Sequence, residues 1–378
     1  MNAASLWPRL AGLALTVEAC EFERLEPGPG FGDAAHASRL IRLRGGGEEG
    51  LGEDITLFMA EGPLLPLTGS WTLSGFREHL AELEQWSSPP EWETARRLRN
   101  WGYESAALDL ALRQAGYPLH EVLDRVPRPV TFVNSLGLGD PPSVETIHRR
   151  LASYPGLRLK LDAQATWTPQ IVTALVDTGA VHTIDFKGQY GFDVDHIEEL
   201  VAVYELLLDA FPDALLEDPH DLPEITPLVA PHAARVAYDA PIRTTADLDT
   251  TTLQATTFNI KPSRIGTLPD LLELYAECEA CGAVMYGGGM GELGVARGQI
   301  QLLASLFHPD APNDIAPPGY TVTSFGAGIS RLVTRGPVSV DLSLKNAFNT
   351  RYRSFMSRYK EFALAPGQMW IMRVTTPL

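Results

Sequence analysis

Residues 214–220, ALLEDPH, and 235–242, RVAYDAPI, decide the fold: each is a short apolar run that ends in an acid, Glu217 in the first and Asp239 in the second, 22 residues apart. A buried strand has no use for a terminal carboxylate, so the placement needs a reason. The pattern extends both ways. Upstream, LRLKLDA (157–163) ends in Lys160-Leu161-Asp162 and VHTIDFKG (181–188) in Asp185-Phe186-Lys187; downstream, TFNIKPSR (257–264) reaches Lys261, again 22 residues after Asp239. VTFVNSL (130–136), AVMYGGG (283–289) and NDIAP (313–317) complete a set of eight candidate strands. Helical spacing of apolar residues in 143–154, 168–179, 193–211, 222–232, 268–280 and 294–307 fills the intervals. Strands alternating with helices are the mark of parallel βαβ construction.

Eight such units predict a TIM barrel, in which strand C-termini converge on one face. A doubly wound open sheet is the alternative, but no GxGxxG or P-loop follows any of these strands. Period two along a strand puts Lys160 with Asp162, and Asp185 with Lys187, on one face. Carboxylates from three successive strands, Asp185, Glu217 and Asp239, would repel and be costly to bury unless they share a cation. An oxygen-only donor set favours Mg²⁺. The competing reading is a rim of separate salt bridges.

Before residue 127 the pattern differs. LALTVEACEFERLE and SRLIRLRG alternate as strands, GGGEEG turns, LGEDITLFM returns as a third, and helical segments follow Trp71. The expected division is an N-terminal α+β capping domain over 1–126, a barrel over 127–320 and a β-rich tail over 321–378. A net charge of -17 argues against nucleic acid or an anionic membrane as partner. Three cysteines make no disulfide framework, and Cys278 and Cys281 fall in a helical pattern that Gly282 closes. No secretory leader pattern is seen in MNAASLWPRLAGLALTVEAC, and no run approaches a bilayer-spanning length, so a cytoplasmic location is expected. Homo-oligomerisation is left open.

The ordered strand ends resemble those of the enolase superfamily, over about Leu15 to Tyr320. The resemblance implies a modified TIM barrel, (β/α)7β, with an N-terminal α+β cap, in the class α/β. It implies Asp185, Glu217 and Asp239 as Mg²⁺ ligands, and Lys160 and Lys261 as the acid/base pair of the muconate-lactonising branch. GEDIT (52–56) resembles that family's turn out of the cap meander, and YESAALDLALRQAGYPLHEVL (103–123) its helix before the barrel. Two departures stand out: Lys-x-Asp replaces Lys-x-Lys on the second barrel strand, and Asp-x-Lys replaces Asp-x-Asn on the third, as if one lysine had moved to Lys187. DAQATWT (162–168) imitates the strand-three motif and would make Asp162 a ligand. Spacing favours Asp185, because 55 residues separate Asp162 from Glu217, enough for two strand-helix units, against 32 from Asp185.

The implied activity is removal of the α-proton of a small carboxylate substrate to give a metal-stabilised enediolate. A dehydratase or lyase is the first expectation, with Lys187 assisting; a racemase or epimerase, or a non-catalytic binding barrel, are the alternatives. Burial among cations is expected to lower a lysine's pKa. Asp162, Arg264, Asn134 and Glu292 are further candidates for substrate contact, although a structural ion pair is the favoured reading of Arg264 and a turn without a catalytic role is an equal one for Glu292; His36 sits in the region of a specificity loop, where a solvated loop residue is the plainer reading. The tail from Thr321 alternates as strands, and NAFNTRYRSFMSRYKEFALAPGQ (346–368) resembles the C-terminus of a TonB-dependent outer-membrane receptor. Two or three strands cannot close a membrane barrel, so the tail is expected to be a dispensable appendage.

Overall fold

The computed structural model describes residues 6–25, 37–56, 62–190, 196–249, 251–315, 322–333, 336–350 and 366–376. His36 lies outside them. In the N-terminal part, β1 (Ala14–Val17), β2 (Ala19–Leu25), β3 (Ser38–Gly45), β4 (Glu48–Asp54) and β5 (Gly69–Thr72) make two antiparallel sheets, β1–β5 and β2–β3–β4. The run read as one alternating strand is therefore divided at Glu18, whose N–H donates to Arg44 O at 2.6 Å while the chain passes from one sheet to the other.

The helix Thr94–Ala115 lies against β4, and glycine sets how close it comes. A Cβ on Gly52 would stand 2.0 Å from Gly102 O, and one on Gly50 2.3 Å from Leu110 N. The helix ends at Gly116 in the left-handed region (φ 75), as a C-terminal glycine permits. Two residues earlier, Gln114 bridges β1 and β3: Nε2 donates to Thr16 O and Gly45 O, and Oε1 accepts from Thr16 N.

The second part is a parallel sheet of seven strands in chain order: β6 (Asn134–Leu136), β7 (Leu159–Asp162), β8 (Val181–Asp185), β9 (Leu215–Glu217), β10 (Val236–Tyr238), β11 (Thr257–Ile260) and β12 (Val284–Gly287). The eighth strand is reduced to two bridges, Asn313 to Phe132 and Asp314 to Gly288, which join the two edges of the curled sheet. Asn313 reinforces that closure with its side chain. Its Nδ2 donates to three backbone carbonyls, of Thr131, His308 and Ala311, and its Oδ1 accepts from Gly287 N at 2.6 Å.

Helices open on Thr-x-Pro or Thr-Pro signals: Thr168 caps Pro169–Thr178 and Thr267 caps Leu268–Cys281 through their hydroxyls. The helix expected over 222–232 is only Thr226–Val229 and then a 3-10 turn, Ala230–Arg235, where two prolines remove backbone donors. One apolar cluster runs from Leu15, Ile41 and Phe76 in the N-terminal part to Leu207, Ile260 and Leu271 in the barrel.

In the tail, β13 (Phe325–Val333), β14 (Gly336–Lys345) and β15 (Met369–Thr375) form an antiparallel sheet in that order. Ile329 is 75% exposed, Trp370 66% and Met372 70%. Among the described residues no helix is long and apolar enough to cross a membrane.

Candidate active site

Register aligns the acids. Asp162 is the Cα partner of Asp185 and Asp185 of Glu217, so three carboxylates stand side by side across β7, β8 and β9. Asp239 follows β10 by one residue. Lys160, Asp185, Glu217, Asp239 and Lys261 are all buried. The structure brings these five together, with Lys187, Asp162 and Arg264 at the margins of the same cluster.

Lys160 lies at its centre. Its Nζ donates to Glu217 Oε1 and to Asp314 Oδ2 (3.1 Å), and stands 3.4 Å from Asp185 Oδ2. Burial alone would depress this amine, yet Asp314, Glu217 and Asp185 outweigh it and hold it well above the usual lysine range. Lys187 reaches the cluster differently from the period-two expectation, because β8 stops at Asp185. Its own left-handed backbone (φ 56) turns it back over the strand end. Its N–H donates to Asp185 Oδ1 at 3.1 Å, and its Nζ pairs with Asp185 Oδ2 and, at 3.1 Å, with Asp162 Oδ1. Against burial, those two carboxylates raise this amine as well. The expectation that burial among cations lowers these lysines is thus corrected: Lys160 and Lys187 sit among anions, whose attraction exceeds the desolvation penalty.

The opposite end of the row is different. Asp239 accepts from Lys261 Nζ (2.7 Å) and Arg264 Nη1 (2.6 Å); burial opposes its charge, but those two cations hold it well below the ordinary carboxylate range. Arg264 spends its remaining donors on Ile242 O and Asn259 O, so it braces Asp239 from within the protein. Glu217, by contrast, is pushed up to about 8, first by complete burial and then by Asp185, Asp239 and Asp314, with Lys160 opposing. Its second oxygen accepts from Tyr286 Oη at 2.6 Å.

Two candidates are engaged elsewhere. Asn134 accepts from Arg150, on the helix that follows β6, and takes no part in the cluster. Glu292 is buried in the glycine-rich loop after β12, accepting from Ser263 Oγ (2.7 Å) and Met290 N (2.6 Å).

Four residues escaped the sequence reading. Asp314 carries a charge on the eighth strand segment like the others, but NDIAP by itself shows only a strand. Asp218 lies next to Glu217 with φ 44, and its two oxygens accept from Asp239 N and Ala240 N, which fixes the end of the next strand. Tyr286 reads as an apolar strand residue until its hydroxyl is seen on Glu217. Asn259 is wholly buried two residues before Lys261, and both its amide atoms lack a partner among the described residues. Gly288 beside it cannot be larger: a Cβ there would lie 2.5 Å from Asp314 Oδ1, 2.7 Å from Lys261 Cε and 3.0 Å from Asn259 Nδ2.

Among the described residues no three acidic or histidine side chains are already gathered as a cation cage, since the lysine amines and Arg264 occupy the carboxylate oxygens. The donor set nonetheless fits a hard divalent ion. Asp185, Glu217 and Asp239 offer only oxygen and are buried together at the strand ends.

The curled parallel sheet with an antiparallel N-terminal part is a fold shared with solved structures described as members of the enolase superfamily. The chain belongs to the family described as domain of unknown function DUF8230, whose N-terminal domain matches residues 8–122 and whose C-terminal domain matches residues 126–322. It is similar to the N-succinylamino acid racemase of Thermus thermophilus, 28% identical over 296 residues that cover 73% of this chain and 77% of that protein. Among solved structures it is similar to an unknown member of the enolase superfamily from Enterococcus faecalis V583 (TM-score 0.60, 19% identity, 80% of this chain and 86% of that one). A muconate lactonizing enzyme from Pseudomonas fluorescens complexed with muconolactone is similar too (TM-score 0.59, 20% identity, 80% and 88%). None of these comparisons supports the receptor-like reading of the tail, and the family match ends at residue 322.

Proposed function

We propose that the chain is a carbon-acid enzyme that takes the α-proton from a small carboxylate substrate and returns one to the same carbon, as a racemase or epimerase. One observation carries this reading: Lys187 and Lys261 stand at the two ends of the row Asp162–Asp185–Glu217–Asp239, while Lys160 lies buried within it. A lysine at each end suits two-sided proton transfer, in which one amine removes the proton and the other delivers it. Lys160 holds three carboxylates with one ammonium and is suited to organising charge, not to exchanging a proton with substrate. Lys187, with 42% of its side chain exposed, is the amine on that side a substrate can reach.

Asp185, Glu217 and Asp239 would hold Mg²⁺, which when bound supplies the positive charge that draws in a substrate carboxylate and stabilises the enediolate. The protein's own part is to keep the two amines at fixed places, to brace Asp239 through Arg264, and to exclude water by burial. The racemase similarity favours this reading over elimination. A lyase keeps one supporting observation, the contact of Lys187 with Asp162, which gives that amine an acidic neighbour through which a proton could reach a leaving group.

The test is exchange of the α-proton in D₂O with Mg²⁺, followed by NMR over acid sugars, N-acyl amino acids and dipeptides. Exchange without loss of the carbon skeleton, abolished for one enantiomer by Lys187→Met and for the other by Lys261→Met, is the expected result. Exchange coupled to elimination selects the lyase. Mg²⁺ binding with no exchange across the panel would leave a non-catalytic barrel.

A further inference from the structure

The N-terminal sheet reaches the barrel through one buried carboxylate. Glu53, near the end of β4, is 1% exposed, and its oxygens accept from Ser38 Oγ (2.6 Å), Leu293 N (2.6 Å), Gly294 N (2.8 Å) and Ala296 N (3.3 Å). Three of those donors belong to the loop after β12 and to the start of the helix Val295–Phe307, where a carboxylate also meets the positive end of the helix dipole. Leu25, Leu40 and Leu51 of the sheet close around Leu293. The contact is tight: a Cβ on Gly294 would come 2.8 Å from Leu25 Cδ1 and 3.2 Å from Glu53 Oε2.

The same loop is tied at its other side to the segment that carries Lys261. Glu292 accepts from Met290 N within the loop and from Ser263 Oγ, two residues after Lys261. Gly288 of the loop packs on Lys261 Cε. Glu53 and Glu292 are both buried and repel each other, so each keeps its place only while its donors are present.

We propose that Glu53 is a positioning residue for the active face: it holds the glycine-rich loop 287–294 from the N-terminal sheet, and through Glu292 and Ser263 that loop sets the position of Lys261. The inference rests on the reading above that Lys261 meets substrate. The rival is a tie between the two parts that stabilises the whole protein and has no selective hold on Lys261.

Amide hydrogen exchange on the full chain separates them without any substrate, so a failure to find turnover leaves this result interpretable. Arg264, Ile265 and Gly266 donate to Lys261 O and Pro262 O and report on the Lys261 segment; Phe186 and Asp218, which donate to Glu217 O and Ala237 O, report on the other side of the barrel mouth. Glu53→Gln should speed exchange at 264–266 by about tenfold, the effect of losing a charge-assisted contact, and leave Phe186 and Asp218 unchanged. Ser263→Ala should have a similar effect, and the double variant no more than Ser263→Ala alone, because both act through one chain of contacts. Equal acceleration on both sides, no change at 264–266, or additive effects would each overturn the proposal. Should Glu53→Gln fail to fold, Ser38→Ala removes one of its donors more gently; it is expected to act in the same direction, and no effect at 264–266 would overturn the proposal as well.

Discussion

Lys160 and Lys187 share Asp185 as a partner yet differ in exposure, 3% against 42% of the side chain, and the difference predicts opposite mutational behaviour. Lys160→Met leaves Glu217, Asp314 and Asp185 without their shared counter-charge, and removing one partner from a buried ion cluster costs about 3–5 kcal/mol. A clear drop in unfolding free energy is expected, measured by denaturant titration without metal. Lys187→Met should lie within about 1 kcal/mol of the parent, as half-exposed ion pairs do, while losing α-proton exchange on its side. Glu217→Gln should abolish Mg²⁺ binding in calorimetry; unchanged affinity would remove Glu217 from the ligand set. His308 makes a prediction in pH. Burial lowers it to about 4, and its Nδ1 lies 2.7 Å from Asn313 Oδ1, the atom that also closes the barrel on Gly287 N. The unfolded chain takes up a proton near 6.5 that the folded chain refuses. Its contribution is therefore full above pH 6.5 and is lost as pH falls from 6.5 towards 4, by up to about 3 kcal/mol. His308→Gln should flatten that acid limb when stabilities at pH 5 and 7.5 are compared.

At the scale of elements, the glycines of β4 decide whether the N-terminal part assembles. Helix Thr94–Ala115 crosses β4 so closely that Gly52 has backbone 2.0 Å from where a Cβ would stand, a separation that real contacts do not show. Gly52→Ala must therefore push the helix away from the strand or disrupt the pairing with β3, and overpacking of this kind costs about 1–3 kcal/mol or more. A melting temperature lower by several degrees is expected, and an unchanged one would mean that helix and strand do not pack this way in solution. The sequence showed the helix through its apolar spacing, Gly50 at the end of the turn GGGEEG and Gly52 in the strand LGEDITLFM, but not their reason. Neither shows a need for glycine until the helix is seen lying on them.

For the whole molecule, the tail sets the question. Its three strands pair through their backbones over long registers, yet Ile329, Trp370, Met372 and Val374 remain exposed, so the sheet contributes little apolar burial to the rest of the chain. Truncation after Gly319 should leave the melting temperature unchanged within a few degrees and lower the binding of a hydrophobic dye. A large fall in melting temperature would show that the sheet braces the barrel.

The alternation of apolar strands with helices, and the charges at their ends, were written in the sequence, because period and spacing are local properties that burial on one face imposes on the chain. That is why Lys160, Asp185, Glu217, Asp239 and Lys261 stand out in the sequence as charges closing apolar runs. Which lysine is buried and which is reachable, that the partner of Arg264 is Asp239, that Asn134 turns to Arg150, and that Glu53 grips a loop 240 residues away were decided only by the tertiary structure. These depend on a left-handed turn at Lys187, on cross-strand register and on closure through Asn313, and each joins residues far apart in the chain whose attraction exists only once the barrel has brought them together.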